Sequence, residues 1–266
     1  MNWSEEAETA MGKVPFFVRK RVRKRVEEEA EKQGAGMVRI EHVKVCQRRF
    51  LNRMEDETRG FGVESCFGSG GCPNRAVDDG NIVGKITELL ETRRLKEFLK
   101  SKIMGPLKFH HEFKVVISDC PNACSRPQIA DIGLIGARRP AIMSKECNQC
   151  GSCVEVCEEN AVTPANAQDK AHPFINYERC LSCGKCAQVC PTGALTQSQR
   201  GYRITVGGKL GRHPRLGIEL PRVYSARQAL TLIDRCVEHY KKHNREGERF
   251  GVVIERSGLG FLEDLF

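Results

Sequence analysis

Cysteines in the middle of the chain form two runs with one repeated spacing. The first run contains Cys147, Cys150, Cys153 and Cys157, and the second contains Cys180, Cys183, Cys186 and Cys190. A cuboidal [4Fe-4S] cluster needs four thiolates at its corners. A C-x2-C-x2-C loop supplies three of them, and the fourth cysteine of each run ligates the cluster of the other run. The sequence therefore predicts one cluster on Cys147, Cys150, Cys153 and Cys190 and another on Cys180, Cys183, Cys186 and Cys157.

Zinc is the main alternative for these thiolates. A zinc knuckle needs only one four-ligand set and rarely has this tandem form ending in Cys-Pro, so we favour iron. Fourteen cysteines in all could also indicate disulfides, but disulfide scaffolds are usually short secreted chains. Cys46 and Cys236 fall outside the clusters, and Cys236 lies on an apolar helical stripe that favours a buried thiol. Two clusters at this spacing imply electron transfer and leave its destination open.

Two further cysteine pairs precede the runs. Cys66 and Cys72 have C-x5-C spacing, and Cys120 and Cys124 have C-x3-C spacing. The residues around them permit the close backbone approach that a bulky cluster needs, namely Gly68, Gly70, Gly71 and Pro121. A third cluster is the natural inference. Structural zinc or an incidental pair is the alternative.

Mixed helices and strands must position these cysteines. FGVES reads as a strand entering Cys66, and FKVVISD as an apolar strand ending at Asp119. IADIGLIGA and GYRITVGGK read as further strands, and Gly84 to Lys102 as a helix. Another helix is predicted from Ser225 to Lys242, with an inward stripe of Ala229, Leu232, Ile233, Cys236 and Tyr240.

The amino-terminal segment reads as helices. Ser4 can cap a first helix, and a second is predicted from about Pro15 to Gly34. Its apolar face is predicted to contain Phe17, Val18, Val22 and Val26. The basic run from residue 19 to 25 resembles a nucleic-acid-binding surface, but we interpret it as the solvated face of an amphipathic helix. No nucleic-acid partner is therefore predicted.

The formal net charge of +9 raises the prospect of an anionic partner such as an acidic protein or a polycarboxylate cofactor. Charge alone cannot choose among these partners. The sequence has no apolar run long enough for a membrane span and no secretory signal at its amino terminus. We therefore expect a cytoplasmic protein.

The pair motifs resemble those of a known family. The C-x5-C and C-x3-C arrangement, with CPNACSRPQIADIGLIG and the later GYRITVGGKLGRHPRLGIEL, is similar to the siroheme-[4Fe-4S] half-domain of sulfite and nitrite reductases. Dissimilatory and anaerobic sulfite reductases carry an inserted ferredoxin in this half-domain. The resemblance runs from about Gly60 to the carboxyl end. It implies that Cys66, Cys72, Cys120 and Cys124 hold a cubane and that Cys124 also bridges to the siroheme iron.

Siroheme is a polycarboxylate, so the resemblance gives the positive charge a use. The candidates to bind its carboxylates, or an oxyanion on its open face, are Arg126, Arg138, Arg139, Lys209, Arg212 and His213. Arg126, Lys209 and Arg212 are also the candidate catalytic residues. For any single one of these side chains, a solvated surface charge is at least as good an interpretation.

The fold expected from these resemblances is α+β. Residues 1–50 resemble the small helical domain of light-independent protochlorophyllide reductase and read as a docking element. Residues 60–144 and 201–266 would form the two parts of the siroheme-type half-domain, and residues 145–196 the inserted 2[4Fe-4S] ferredoxin. The second half and substrate domains that such reductases normally contain are not visible, so a partner subunit or second copy is expected to complete the site.

The function implied is an oxidoreductase with three [4Fe-4S] clusters and siroheme. Electrons from a donor protein would enter the ferredoxin clusters and reach the siroheme-coupled centre, where sulfite or nitrite, a small oxyanion, is reduced. The alternative is a non-catalytic iron–sulfur subunit that delivers electrons within a larger redox complex. A third interpretation, a metal-stabilised nucleic-acid-binding protein, predicts zinc and no reducible chromophore.

Overall fold

A computed structural model describes residues 1–165 and 172–265. The chain divides into two compact units. The smaller unit contains Met1–Arg59 and Ile103–His110, and the larger contains Gly60–Lys102 and the chain from His111 onward. Residues 166–171 of the predicted ferredoxin range, and Phe266 at the end of the last predicted domain, lie outside the described residues.

The smaller unit is mainly helical. Its elements are β1 (Asn2–Trp3), α1 (Glu5–Gly12), α2 (Phe16–Lys32), β2 (Met37–Val38) and α3 (Ile40–Glu57). Ser4 caps α1 as predicted, because its hydroxyl accepts a hydrogen bond from the Ala7 N–H at 3.3 Å. The two strands pair in parallel, which ties the start of the unit to the end of α2.

The predicted apolar face of α2 is wrong at Phe17, whose side chain is 75% exposed. Val26 packs in the core with Ala7, Ala30 and Val38, and Val22 packs against that core. Phe17 lies nine positions before Val26, which is about 2.5 turns at 3.6 residues per turn. The two side chains therefore point to opposite sides of the helix.

The larger unit is built on a five-stranded mixed sheet in the order β3-β4-β5-β8-β9. The order along the chain is β3 (Phe61–Ser65), α4 (Ile82–Thr92), α5 (Leu95–Lys102), β4 (Phe113–Ser118), β5 (Ile132–Ile142), α6 (Ser152–Glu155), β6 (Val162–Thr163), β7 (Phe174–Ile175), α7 (Lys185–Gln188), β8 (Leu195–Val206), β9 (Ile218–Glu219), α8 (Ala226–His243) and α9 (Phe250–Ser257). Strands β3, β4 and β5 are parallel, and β8 and β9 continue the sheet antiparallel. The mixed helix and strand content agrees with the predicted α+β class.

Helices α8 and α9 help to form the core of this unit. The predicted inward stripe of α8 is confirmed, since all of its members are buried. Ser225 and Gln228 form a capping box at its amino terminus. The Tyr240 ring packs 5.3 Å from Phe113 of β4. Arg94 has a positive φ of 49°, and it separates α4 from α5 where one helix was predicted.

The chain leaves the sheet at the end of β5 and returns to it at the start of β8, and these two ends are paired with each other. The two strands pair antiparallel from Ile132 opposite Val206 to Ile142 opposite Leu195. Residues 143–194 therefore form an excursion between two paired strands, and this excursion carries the two cysteine runs. Its described part has a small core of its own, made of Val162, Ile175, Cys186 and Leu195. Over the described residues, no helix is both long and apolar enough to cross a membrane.

Candidate metal centres

The ends of two parallel strands bring the cysteine pairs together. Cys66 directly follows β3, and Cys120 follows β4, whose Ile117 is paired with Ser65. The Cys66 Sγ accepts hydrogen bonds from the Asp119 N–H at 3.3 Å and the Gly68 N–H at 3.4 Å. Because parallel strands end at the same edge of a sheet, both cysteine loops lie at that edge.

The four thiols of these pairs interact electrostatically. Burial raises the pKa of the Cys120 thiol, and negative charge on Cys124, Cys72 and Cys66 raises it further. These effects are consistent with the strand-end geometry, which places both cysteine loops at one edge of the sheet. We call these residues the sheet-edge set (Cys66, Cys72, Cys120, Cys124). Cys120 is buried within it, whereas Cys124 is exposed.

Asp119 and Gly136 lie beside this site but were not among the site residues predicted from the sequence. A Cβ atom on Gly136 of β5 would lie 2.2 Å from the Asp119 carbonyl oxygen, so the backbones approach too closely there for any larger residue. The Asp119 carboxylate accepts a hydrogen bond from Arg75 Nε at 3.1 Å. The position of Asp119 at the end of the apolar strand FKVVISD, directly before Cys120, could have identified it from the sequence. No comparable sequence pattern marks Gly136.

The two cysteine runs share one backbone conformation as well as one spacing. Gln149 and Ser182 have positive φ values of 57° and 58°. Their N–H groups donate to Cys147 Sγ and Cys180 Sγ, both at 3.4 Å. Turns that alternate right- and left-handed residues form concave nests of N–H groups that bind anions and iron–sulfur clusters. The repeat is thus structural as well as sequential, since the same position of each run donates to the first cysteine sulfur.

One cavity is lined by three cysteines of the first run and the last cysteine of the second. We call them the outer set (Cys147, Cys150, Cys153, Cys190). Burial raises the pKa of Cys153, and charges on Cys147, Cys150 and Cys190 raise it further. The structure therefore brings together the four residues predicted to share one cluster. Cys150 is exposed.

A second cavity is lined by the complementary four cysteines. We call them the inner set (Cys157, Cys180, Cys183, Cys186). Burial raises the pKa of Cys186 to about 12, and charges on the other three thiols contribute to this rise. The fourth cysteine of each run thus lines the cavity of the other run's first three cysteines. Pro121 and Asn122, from the loop of the sheet-edge set, complete the wall of this cavity.

The donor chemistry of all three sets fits iron–sulfur clusters. Within residues 1–165 and 172–265, no three His, Cys, Asp or Glu side chains are arranged to hold a single metal ion. Four thiolates of a cubane bind four different iron atoms, so they stand farther apart than the ligands of one ion. Each set offers four thiols, and backbone N–H groups point at some of their sulfur atoms. Hydrogen bonds of this kind stabilise cluster thiolates.

The other two cysteines lie elsewhere. Cys236 is fully buried in α8, and burial raises the pKa of its thiol, which confirms the prediction of a buried thiol. Cys46 is half-buried in α3, and its Sγ lies 3.7 Å from the Arg25 carbonyl oxygen.

Four of the candidate cations lie on two segments that pack together. Arg126 follows Cys124 by two residues, is exposed, and has a left-handed backbone with φ of 61°. The loop after β8 contacts the segment that follows Arg126. The Gly207 N–H donates to the Asp131 carbonyl and the Gly217 N–H donates to the Gln128 carbonyl, both at 2.7 Å. That loop carries the half-buried Lys209 and the exposed Arg212 and His213.

Arg138 and Arg139 lie in the second half of β5. The Arg138 guanidinium donates to the Ala76 carbonyl at 2.7 Å and the Arg75 carbonyl at 2.9 Å. Its backbone N–H donates to the Ser182 carbonyl at 2.6 Å, and burial together with the nearby Arg200 lowers its pKa. Arg139 stacks 4.2 Å from the centre of the Tyr177 ring. These two arginines therefore contact the excursion and the segment after Cys72.

Strand-end loops that gather thiols in sets of four define an iron–sulfur protein. The comparisons identify the family. Residues 59–264 match the model of the nitrite and sulphite reductase 4Fe-4S domain, and residues 3–46 match that of the proto-chlorophyllide reductase 57 kD subunit. The chain belongs to the nitrite and sulphite reductase 4Fe-4S domain family, and it is a sulfite reductase-like iron–sulfur protein.

Curated sulfite reductases agree with this family assignment. The chain is 38% identical over 204 residues to the coenzyme F420-dependent sulfite reductase of Methanocaldococcus jannaschii, a match over 76% of this chain and 30% of that protein. It is 30% identical over 103 residues to one subunit of the anaerobic sulfite reductase of Salmonella typhimurium, covering 39% of this chain and 26% of that one.

The amino-terminal segment has a separate relative. It is 56% identical over 41 residues to one subunit of the light-independent protochlorophyllide reductase of Pelodictyon phaeoclathratiforme, which covers 15% of this chain and 8% of that protein. The chain thus spans less than a third of the length of each of these relatives.

Proposed function

We propose that this chain forms the siroheme-binding half of a sulfite or nitrite reductase. Electrons pass from a donor protein through the outer and inner sets to the sheet-edge set, and sulfite or nitrite is reduced beside it. The observation that carries this proposal is that both cysteine pairs lie at one edge of the sheet, where the Asp119 N–H donates to Cys66 Sγ and Cys124 is exposed. An exposed thiolate on a cluster can be shared with a second metal centre.

Each cofactor has residues that fit it. The three thiol sets would each hold a [4Fe-4S] cluster, and Cys124 would be shared with the siroheme iron. Arg126, Lys209, Arg212 and His213 lie on two segments in mutual contact and are suited to carboxylates or a small oxyanion. Siroheme, when bound, supplies the iron at which the S–O or N–O bond is broken. Arg126, Lys209 and Arg212 are the proposed residues that hold the oxyanion.

The proposed organisation follows the sequence prediction. Residues 145–196 act as a ferredoxin-type insertion between the parts at 60–144 and 201–266, and residues 1–50 act as a docking element. Another protein chain or a second copy supplies the remaining wall of the substrate site, since the Salmonella typhimurium relative is by name one subunit of its enzyme. We place the reaction in the cytoplasm, where thiolates remain reduced.

The absorption spectrum of the reconstituted protein tests this proposal. Anaerobically purified full-length chain is loaded with iron, sulfide and siroheme. We expect the Soret and long-wavelength bands of a reduced isobacteriochlorin, together with an iron content equivalent to three cubanes. If the iron content reaches three cubanes but these bands do not develop, the reductase function is excluded.

A second function is favoured by the contacts of Arg138 and Arg139. Their side chains are held by backbone carbonyls and by the Tyr177 ring, so two of the candidate cations already have partners within the chain. A chain that binds clusters without siroheme would be an iron–sulfur electron-transfer subunit of a larger redox complex. The same experiment separates the two functions, because only the electron-transfer subunit gives full iron without siroheme bands.

A further inference from the structure

The cavity of the inner set is shared with the loop that carries two cysteines of the sheet-edge set. Its lining includes Pro121 and Asn122, which stand between Cys120 and Cys124 of the sheet-edge set. The outer set lines a different cavity. The inner set is therefore the one that borders directly on the sheet-edge loop.

An ion pair lies on the wall of this shared cavity. Lys185 Nζ is 2.6 Å from Glu158 Oε1, and both residues line the cavity. Glu158 directly follows Cys157 of the first run, and Lys185 lies between Cys183 and Cys186 of the second. The pair thus connects the two runs beside the inner thiols.

Lys185 lies beside parts of both sets. It lines one cavity with Cys183 and with Pro121 and Asn122, and the latter two residues stand directly after Cys120. Cys183 belongs to the inner set, and Cys120 belongs to the sheet-edge set. A lysine is cationic over the whole working pH range, so its charge is a fixed feature of this cavity wall.

We propose that Lys185, held by Glu158, raises the reduction potentials of the inner and sheet-edge centres together relative to the outer centre, and so favours electron transfer from the outer centre towards the Pro121–Asn122 turn. The proposal rests on the cluster assignment of the proposed function. Reduction adds one negative charge to a centre, and a nearby fixed cation stabilises that charge.

In the transfer itself, one electron leaves the inner centre and one enters the sheet-edge centre. No bond is formed or broken, and no proton is required. The outer centre then passes one electron to the inner centre, and a low-potential one-electron donor re-reduces the outer centre.

Redox titration followed by electron paramagnetic resonance tests this role. The full-length chain is purified anaerobically with its clusters, and the midpoint potentials of all three centres are measured. Lys185→Met removes the cation, Lys185→Arg keeps it, and Glu158→Gln removes the neighbouring anion. Lys242→Met is the charge-matched control, because Lys242 lies exposed on the last turn of α8.

We expect Lys185→Met to lower the potentials of the inner and sheet-edge centres. At a fixed solution potential, the ratio of reduced to oxidised cluster at each of these two centres should fall by about threefold to tenfold. A tenfold change corresponds to about 59 mV for a one-electron couple. Glu158→Gln should shift both centres in the opposite direction. Lys185→Arg and Lys242→Met should leave them unchanged, and the outer centre should move least in every variant.

A shift confined to the inner centre, or an equal shift in Lys242→Met, overturns the shared role of Lys185. Unchanged potentials in Lys185→Met with full iron content overturn it as well and leave the proposed function intact. An iron content below three cubanes in the unaltered chain is a different failure, because it removes the cluster assignment itself.

Discussion

Individual cysteines of the sheet-edge set differ in their surroundings. Cys120 is only 7% exposed, whereas Cys124 is exposed four residues later. The loop between them turns at Ala123, which has a positive φ of 51°. A thiolate shared between a cluster and a second metal must be reachable from outside the cluster pocket. Of these two cysteines, Cys124 meets that requirement, and this agrees with the role that the family resemblance implies for it.

Serine substitutions of single cysteines separate the sets. We expect Cys124→Ser to disturb both the siroheme bands and the sheet-edge cluster signal, because one sulfur atom serves both. Cys186→Ser is the matched control within the inner set, and it should change only a ferredoxin-type signal. Absorption and electron paramagnetic resonance spectra of the reconstituted variants provide the measurement. An unaltered siroheme spectrum and cluster coupling in Cys124→Ser would show that Cys124 is not the bridge.

At the scale of elements, the sheet-edge site depends on how closely two strands approach. Strands β4 and β5 are paired in parallel, and Gly136 of β5 lies against the Asp119 carbonyl. Asp119 directly precedes Cys120, and its N–H donates to the Cys66 sulfur. A displacement of this backbone would therefore move one proposed ligand, Cys120, and remove a hydrogen bond from another, Cys66.

Alanine substitutions of two glycines test this dependence. A Cβ atom at Gly136 would lie 2.2 Å from a backbone oxygen, so Gly136→Ala should cost about 1–3 kcal/mol and reduce the iron bound by the sheet-edge set. Gly70→Ala is the control, since Gly70 lies between Cys66 and Cys72 but has no atom within 4 Å of an added Cβ. It should change stability by less than about 0.5 kcal/mol. Urea unfolding and iron analysis measure both effects, and equal iron loss in the two variants would refute the argument.

Local patterns predicted most elements but not every boundary or face. The α8 stripe was predictable because apolar residues recur at helical spacing throughout its length, and Ser225 marks its start. The break at Arg94 has no proline or glycine to announce it. In α2 the valines set the buried face, and Phe17 is apolar without belonging to it. A periodicity argument cannot exclude one apolar residue that the tertiary fold leaves in solvent.

For the whole molecule, the sequence indicates which cysteines lie together better than it indicates the residues around them. The crossing of Cys157 and Cys190 between the runs followed from spacing, because a short loop can supply only three corners of a cube. The meeting of Pro121 and Asn122 with the inner set depends on how distant segments pack. The same is true of Arg138, which lies against Gly184 and the Ala76 carbonyl. Such contacts between residues far apart in the chain leave no periodic signal.

Removal of iron should affect the parts of the larger unit unequally. In its described part, the excursion between β5 and β8 has elements of two to four residues, α6, β6, β7 and α7, and a core that includes the proposed ligand Cys186. A core of this size supplies little stability without metal. The sheet strand β4 and helix α8 instead share a core of fully buried side chains such as Phe113, Ile117 and Tyr240.

We therefore expect that oxidation and chelation of the clusters raise amide hydrogen exchange by about tenfold or more in the described parts of the excursion, while exchange in β4 and α8 changes by less than about twofold. Hydrogen exchange with mass spectrometry, run on matched loaded and iron-depleted samples, measures the difference. Cys186→Ser should reproduce part of the effect without a chelator, because it removes one ligand from the small core. Equal loss of protection in α8 would mean that the clusters stabilise the whole unit, and an unchanged excursion would mean that it folds without metal.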